Sequence, residues 1–125
     1  MLAMVIDDSR AMRSILRRIV TELGFDVVEA ADGQEALDKM KTGELPDLAL
    51  IDWNMPVLDG LEFVTAVRTH REWRDVTIMM VTTEGEHAQI VRALAAGAHE
   101  YVIKPFTPDA IQDKLMLLGL VGVPA

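Results

Sequence analysis

A chain of 125 residues, half of them hydrophobic, suits one compact domain able to bury a substantial core. It has no cysteine, which excludes disulfides and thiolate zinc sites and makes a reducing cytoplasm the simplest home. A net charge of −8 argues against neutralising a phosphate backbone, so nucleic acid is set aside as a partner.

The chain opens on Leu2-Ala3-Met4-Val5-Ile6, a continuous apolar run of the kind a strand buried on both faces requires. It lacks the basic residues and longer apolar core of an export signal and runs straight into Asp7-Asp8. Ser9 can then cap a helix in which Met12, Ile15, Leu16, Ile19 and Leu23 recur at helical spacing, with Gly24 as its stop. Val27-Val28 forms a second short strand, and Asp32 caps a helix through Ala36, Leu37 and Met40.

Leu48-Ala49-Leu50-Ile51 is the third strand, ended by Asp52-Trp53-Asn54-Met55-Pro56, a carboxylate followed by a proline-stopped loop. After Gly60 comes a helix carrying Leu61, Phe63, Val64 and Val67, and the charged stretch from His70 to Asp75 reads as loop. Ile78-Met79-Met80-Val81 is a fourth strand, and Ile90, Val91, Leu94 and Ala95 mark a helix closed by Gly97. Tyr101-Val102-Ile103 is a fifth strand, ending at Lys104-Pro105. Thr107-Pro108-Asp109 starts a last helix with Ile111, Leu115 and Leu118. The longest nearly unbroken apolar stretch, Leu115 to Val123, is about half of the ~20 residues a membrane helix needs, so no span is expected.

Strands and helices in strict alternation predict an α/β fold, a single parallel sheet of five strands with helices on both faces. In such a sheet the residues just after each strand gather along one edge. That edge receives Asp7 and Asp8, Asp52, Thr82 and Lys104. Asp52 alone could be a metal ligand, a nucleophile or a strand-ending turn former. Three carboxylates this close repel one another unless a cation or a proton relieves them, and Mg²⁺ suits an all-oxygen donor set while keeping positions open for water and phosphate. Three carboxylates are balanced by Mg²⁺ and Lys104, so an anion fits only if one acid becomes its attachment point, as in an aspartyl phosphate. Asp52 is the candidate nucleophile, a single acid facing the pair opposite.

Asp7-Asp8-Ser9, Asp52-Trp53-Asn54-Met55-Pro56 with Asp59-Gly60, Val81-Thr82, and Tyr101-Val102-Ile103-Lys104-Pro105-Phe106 span nearly the whole chain. In this order they resemble the receiver domain of two-component response regulators, and most of all the free-standing chemotaxis regulators of the CheY type. The resemblance implies the doubly wound strand order 2-1-3-4-5, one receiver domain over residues 1–125 and no output domain. It also implies that Asp52 accepts a phosphoryl group from a histidine kinase or histidine phosphotransfer domain. Asp8, Asp52 and the Asn54 carbonyl would be direct Mg²⁺ ligands, with Asp7 acting through water.

By the same resemblance Lys104 would bridge to the phosphoryl oxygens, the Lys104-Pro105 peptide would be cis, and Thr82 and Tyr101 would be a switch pair. Asn54 and Glu84 would set the rate of dephosphorylation. A flagellar motor switch protein and a phosphatase are the implied further partners, and a cytoplasmic monomer is expected. Ordinary readings stay open beside these: Tyr101 as a strand aromatic with its hydroxyl at the rim, and Glu84 as a solvated loop acid. Arg10, Arg13 and Arg17 recur at helical spacing as a solvated face or a basic partner stripe. Met116, Leu117, Leu120 and Val121 form either an exposed patch or packing against loops. His70, His87 and His99 share no spacing with the pocket and receive no metal role.

The function expected is a phosphorylation-controlled binding module of chemotaxis or motor control that is not an enzyme beyond its own phosphorylation and dephosphorylation. A phosphate sink or intermediate phosphorelay receiver is the near alternative. A Mg²⁺-dependent phosphohydrolase is more distant, since Asn54 stands where those enzymes usually carry a second acid. A flavin- or nucleotide-binding protein would need a glycine-rich cradle, which Asp7-Asp8-Ser9-Arg10 is not.

Overall fold

The structure, a computed structural model, describes residues 1–43, 45–83 and 85–122. Its elements are β1 (Leu2–Ile6), α1 (Arg10–Glu22), β2 (Asp26–Ala30), α2 (Gly33–Lys41), β3 (Leu48–Ile51), α3 (Gly60–Arg68), β4 (Thr77–Thr82), α4 (His87–Ala96), β5 (Glu100–Ile103) and α5 (Pro108–Leu117). The strands pair in parallel in the order β2-β1-β3-β4-β5, the doubly wound sheet the alternation demands.

Side-chain alternation divides the core into two layers. Met4, Ile6, Ile51 and Met80 face a cluster with Leu37 of α2, Phe63 of α3 and Ala93 of α4. Val5, Leu50 and Val81 face the other, with Leu16 and Val20 of α1 and Ile111 and Leu115 of α5. Every residue of β3 is buried, which explains why that strand reads as an unbroken apolar run.

The starts of α1, α2, α3 and α5 carry the side-chain caps that orphan amides need, each worth about 1 kcal/mol. Ser9 accepts from the Met12 amide, Asp32 from Glu35 and Thr107 from Ala110, with Pro108 in the first turn of α5. The start of α3 is stronger than the Gly60 signal implies, because Asp59 and Glu62 form a reciprocal capping box.

Three local expectations change. The second strand extends beyond Val27-Val28 to Asp26–Ala30, because an edge strand tolerates polar residues such as Asp26 and Glu29. Within the charged stretch after His70, Arg71–Trp73 forms a 3-10 turn that buries Trp73 and stacks it on His70 with centroids 4.0 Å apart. Past α5 the chain turns at Gly119 (φ 75) and the Leu120 amide donates back to the Leu115 carbonyl. Leu120 and Val121 therefore pack on the core, while Leu117 is exposed.

At the end of the sheet away from the acidic residues, Arg68 closes α3. Its Nε donates to the Gly97 carbonyl at 3.1 Å, Nη1 to Arg74 at 3.2 Å and Nη2 to Val76 at 2.8 Å. Gly97 has φ 123, and a Cβ there would stand 2.6 Å from Arg68 Cγ, so only glycine fits this turn. No helix of the described residues is long and apolar enough to cross a membrane.

Candidate functional site

The five strands end along one edge, and the sheet's own hydrogen bonds fix what stands there. Asp7 follows β1, with its amide donating to the Ala30 carbonyl at 3.1 Å, and Asp52 follows β3, donating to Ile6 at 3.1 Å. Both acids are thus extensions of neighbouring strands and both are buried, whereas Asp8 is exposed. One carboxylate oxygen from each of Asp7, Asp8 and Asp52 can be chosen so that all lie within 4.8 Å of one another.

Lys104 is the counter-charge. Its Nζ lies 2.8 Å from Asp7 Oδ2 and 3.2 Å from Asp52 Oδ2, and its side chain is mostly buried. The Lys104-Pro105 peptide is cis. The other Asp7 oxygen accepts from the Ser9 amide at 2.9 Å in an Asx turn, and Asp52 Oδ1 accepts from the Asn54 amide at 3.3 Å. Burial pushes the Asp7 carboxyl above its ordinary range, against the opposing pull of Lys104 and the Ser9 amide. Burial disfavours the Lys104 ammonium too, but its hydrogen bond to Asp7 and the charge of Asp52 outweigh that and hold it above its ordinary value. The two shifts differ in cause, burial for the acid and its two carboxylate partners for the lysine, but both favour the protonated form.

An all-oxygen, carboxylate-rich donor set with surplus negative charge fits a hard dication such as Mg²⁺. The pocket's rim is the loop after Asp52. The Gly60 amide donates to the Trp53 carbonyl at 2.9 Å, folding the loop back so that Trp53 is buried in the core beside the acid. Val57 in this loop has φ 70, the left-handed region where a β-branched residue is strained, and it is 77% exposed.

Thr82 is fully buried at the tip of β4, and its carbonyl accepts from the Lys104 amide at 2.8 Å. Tyr101 is buried in β5. Because Met80 pairs with Tyr101 and Thr82 with Ile103, Thr82 and Tyr101 are diagonal neighbours on the face covered by α3 and α4. The tyrosine packs in the core cluster with 8% of its surface exposed. Glu84 lies outside the described residues.

The basic residues of α1 are not a free stripe. Arg13 and Arg17 both pair with Glu29 of β2, at 3.2 and 2.7 Å, while Arg10 stays exposed. Glu29 was invisible as a partner in the sequence because its register opposite Val5, which turns it toward α1, exists only once the sheet is assembled. The Ser9 amide was also overlooked, although an Asp two residues before a helix-capping Ser is the sequence pattern of an Asx turn.

Comparison with known proteins decides the family. The response regulator receiver domain matches residues 3–116. The chain belongs to that family. It is 45% identical to a chemotaxis protein CheY homolog of Campylobacter jejuni over 90% of this chain and 87% of that one. Chemotaxis protein CheY1 of Helicobacter pylori is 41% identical, covering 93% of this chain and 95% of its own. Among solved structures, the chemotaxis response regulator CheY4 of Vibrio cholerae superposes with a TM-score of 0.86 at 34% identity, over 94% of this chain and 97% of that one. This chain is a receiver of the CheY type, a signalling module and not an enzyme in the usual sense, and the hydrolase and flavin alternatives are not favoured.

Proposed function

We propose that Asp52 is the phosphoacceptor of a chemotaxis receiver, charged by a histidine kinase or phosphotransfer domain and read out by protein–protein contact in the cytoplasm. The observation that carries this is Lys104 bridging Asp7 and Asp52 at the strand ends, with Asp8 beside them. An Asp52 carboxylate oxygen attacks the phosphorus of a phosphohistidine in line. The new O–P bond forms as the N–P bond breaks, and the departing imidazole nitrogen keeps the electron pair and takes up a proton. Lys104, held above its ordinary pKa, stays charged to meet a phosphoryl oxygen.

The residues that would hold Mg²⁺ are Asp8, Asp52 and the Asn54 carbonyl, with Asp7 acting through water. Both Asp7 oxygens already accept hydrogen bonds, from Ser9 and Lys104, and Asp8 is exposed, which supports this division. A bound Mg²⁺ supplies positive charge to the phosphoryl oxygens as negative charge gathers there. Thr82 then turns its hydroxyl toward the phosphoryl group, and its diagonal neighbour Tyr101 repacks, altering the surface of α4, β5 and α5. Asn54, with Glu84, flanks the path of the hydrolytic water and sets the lifetime. A flagellar motor switch component and a phosphatase are the partners this surface would serve.

Treatment with acetyl phosphate and Mg²⁺ tests the reading. One phosphoryl mass should map to residue 52, and Asp52→Asn should take up none. Trp53 emission should change with the donor, whereas Trp73→Phe should keep the whole response, because Trp73 lies in the distant turn against His70. Finding no phosphoryl mass on Asp52 would overturn the proposal.

A further inference from the structure

Behind the acidic edge lies an ion cluster that reaches into it. Arg13 Nη1 donates to the Asp7 carbonyl oxygen at 2.6 Å, while its Nε donates to Glu29 Oε1 at 3.2 Å. Arg17 uses the other Glu29 oxygen at 2.7 Å and, among the described residues, makes no hydrogen bond to Asp7 or Asp8. The two arginines differ in setting as well: the Arg13 side chain is 17% exposed and that of Arg17 53%.

The Asp7 carbonyl belongs to the peptide joining Asp7 to Asp8. Whatever fixes that peptide plane fixes the direction in which Asp8 leaves the sheet. Asp7 is itself anchored at every other polar atom: its amide on Ala30, one carboxylate oxygen on Ser9 and the other on Lys104. Asp8 is exposed, and the peptide preceding it is the part of the pocket that Arg13 holds. We propose that Arg13 is a positioning residue for the cation pocket. It pins the Asp7–Asp8 peptide so that the Asp8 carboxylate faces Asp7 and Asp52, and Glu29 is the counter-ion that keeps the guanidinium in place.

This inference rests on the reading of the pocket as a Mg²⁺ site and makes a prediction of opposite sign to simple electrostatics. A positive charge close behind a dication pocket repels the dication, so removing it should tighten binding if charge alone counts. A group that orients a ligand weakens binding when removed, commonly by tenfold or more. Glu29 offsets part of the repulsion while leaving the hydrogen bond to Asp7 intact, which is what a positioning role requires.

The test is Mg²⁺ titration of the full chain by calorimetry, beside urea unfolding of the metal-free protein. Arg13→Met should raise the Mg²⁺ Kd by about tenfold. Arg17→Met removes the same charge from the same Glu29 without reaching Asp7, and should leave the Kd within about twofold. Arg13→Lys keeps the charge and one donor but not the fork, and should recover part of the loss. Arg13→Met binding Mg²⁺ as tightly as the unaltered chain, or more tightly, overturns the proposal. Where Arg13→Met does not fold, Arg13→Lys decides: a weakened Kd supports the role and an unchanged one overturns it. An unaltered chain that binds no Mg²⁺ sinks the pocket reading together with this inference, whereas normal binding by both Arg13 variants removes the positioning role alone.

Discussion

A Cβ on Gly60 would stand 2.5 Å from the Asp52 carbonyl oxygen, so the first turn of α3 rests directly on the backbone that carries the acid. The same Cβ would meet Trp53 Cα at 2.8 Å. Both obstacles are backbone and cannot rotate away. Gly60→Ala should therefore destabilise the protein by about 2 kcal/mol, the usual cost of forced overpacking. Urea unfolding reads the loss, and Trp53 emission of the folded variant should shift because its loop has moved. A variant as stable as the parent would show that α3 can retreat freely.

Lys104 neutralises part of the buried charge, so Lys104→Met should destabilise the metal-free protein at pH 7 by about 3 kcal/mol. The loss should shrink as pH falls from 7 toward 4, because Asp7, its pKa raised by burial, takes up a proton more readily than an ordinary carboxylate. It should also shrink with millimolar Mg²⁺. Unfolding midpoints at the two pH values, with and without the metal, test this. Equal losses at both pH values would mean that the ammonium is not compensating these acids.

His99 sets a separate pH dependence at the far end of the sheet. Its Nδ1 accepts from the Ile78 amide at 3.1 Å, so the ring is held neutral, and burial with the nearby Arg68 charge lowers its pKa. The unfolded chain then binds the proton more readily than the folded one. This contribution to stability is complete above the unfolded value of about 6.5 and is lost as pH falls through the lowered folded value. Unfolding in urea at pH 7.5 and at 5.0 should show the drop, and His99→Gln should show less of it. A variant with the same drop would place the titration elsewhere.

Val57 is a β-branched residue at φ 70 on an exposed loop. Val57→Gly should raise stability by about 1 kcal/mol by relieving that backbone. Thermal unfolding measures it, and a loss instead of a gain would mean that the valine side chain holds the loop.

Much of this molecule can be read directly from residue order. Leu48 to Ile51 is apolar throughout because both faces are covered, and the strand-tip positions of Asp7, Asp52, Thr82 and Lys104 follow once the sheet is parallel. Ser9, Asp32 and Thr107 cap the helices they introduce because capping is local. What escaped depends on long-range partners. Arg13 and Arg17 read as a solvated face or a partner stripe until Glu29 arrives from β2, Trp73 looks like a loop residue until the 3-10 turn lays it on His70, and the choice between patch and packing at Leu120 is open until Gly119 reverses the chain. The Asp59–Glu62 box is the exception, a local signal standing in plain view three residues apart.

The Arg68 clamp gives α4 two unequal ends. Its last turn leads into Gly97, whose carbonyl the guanidinium grips, whereas its first turn begins at Glu86 with no side-chain cap, and Ala93 is the sole helix residue wholly buried. Such a helix is a pointer pivoted at its tail. The uncapped first turn is the end that the proposed repacking of Thr82 and Tyr101 would move most, and amide exchange should fade from fast to slow along the ten residues from His87 to Ala96.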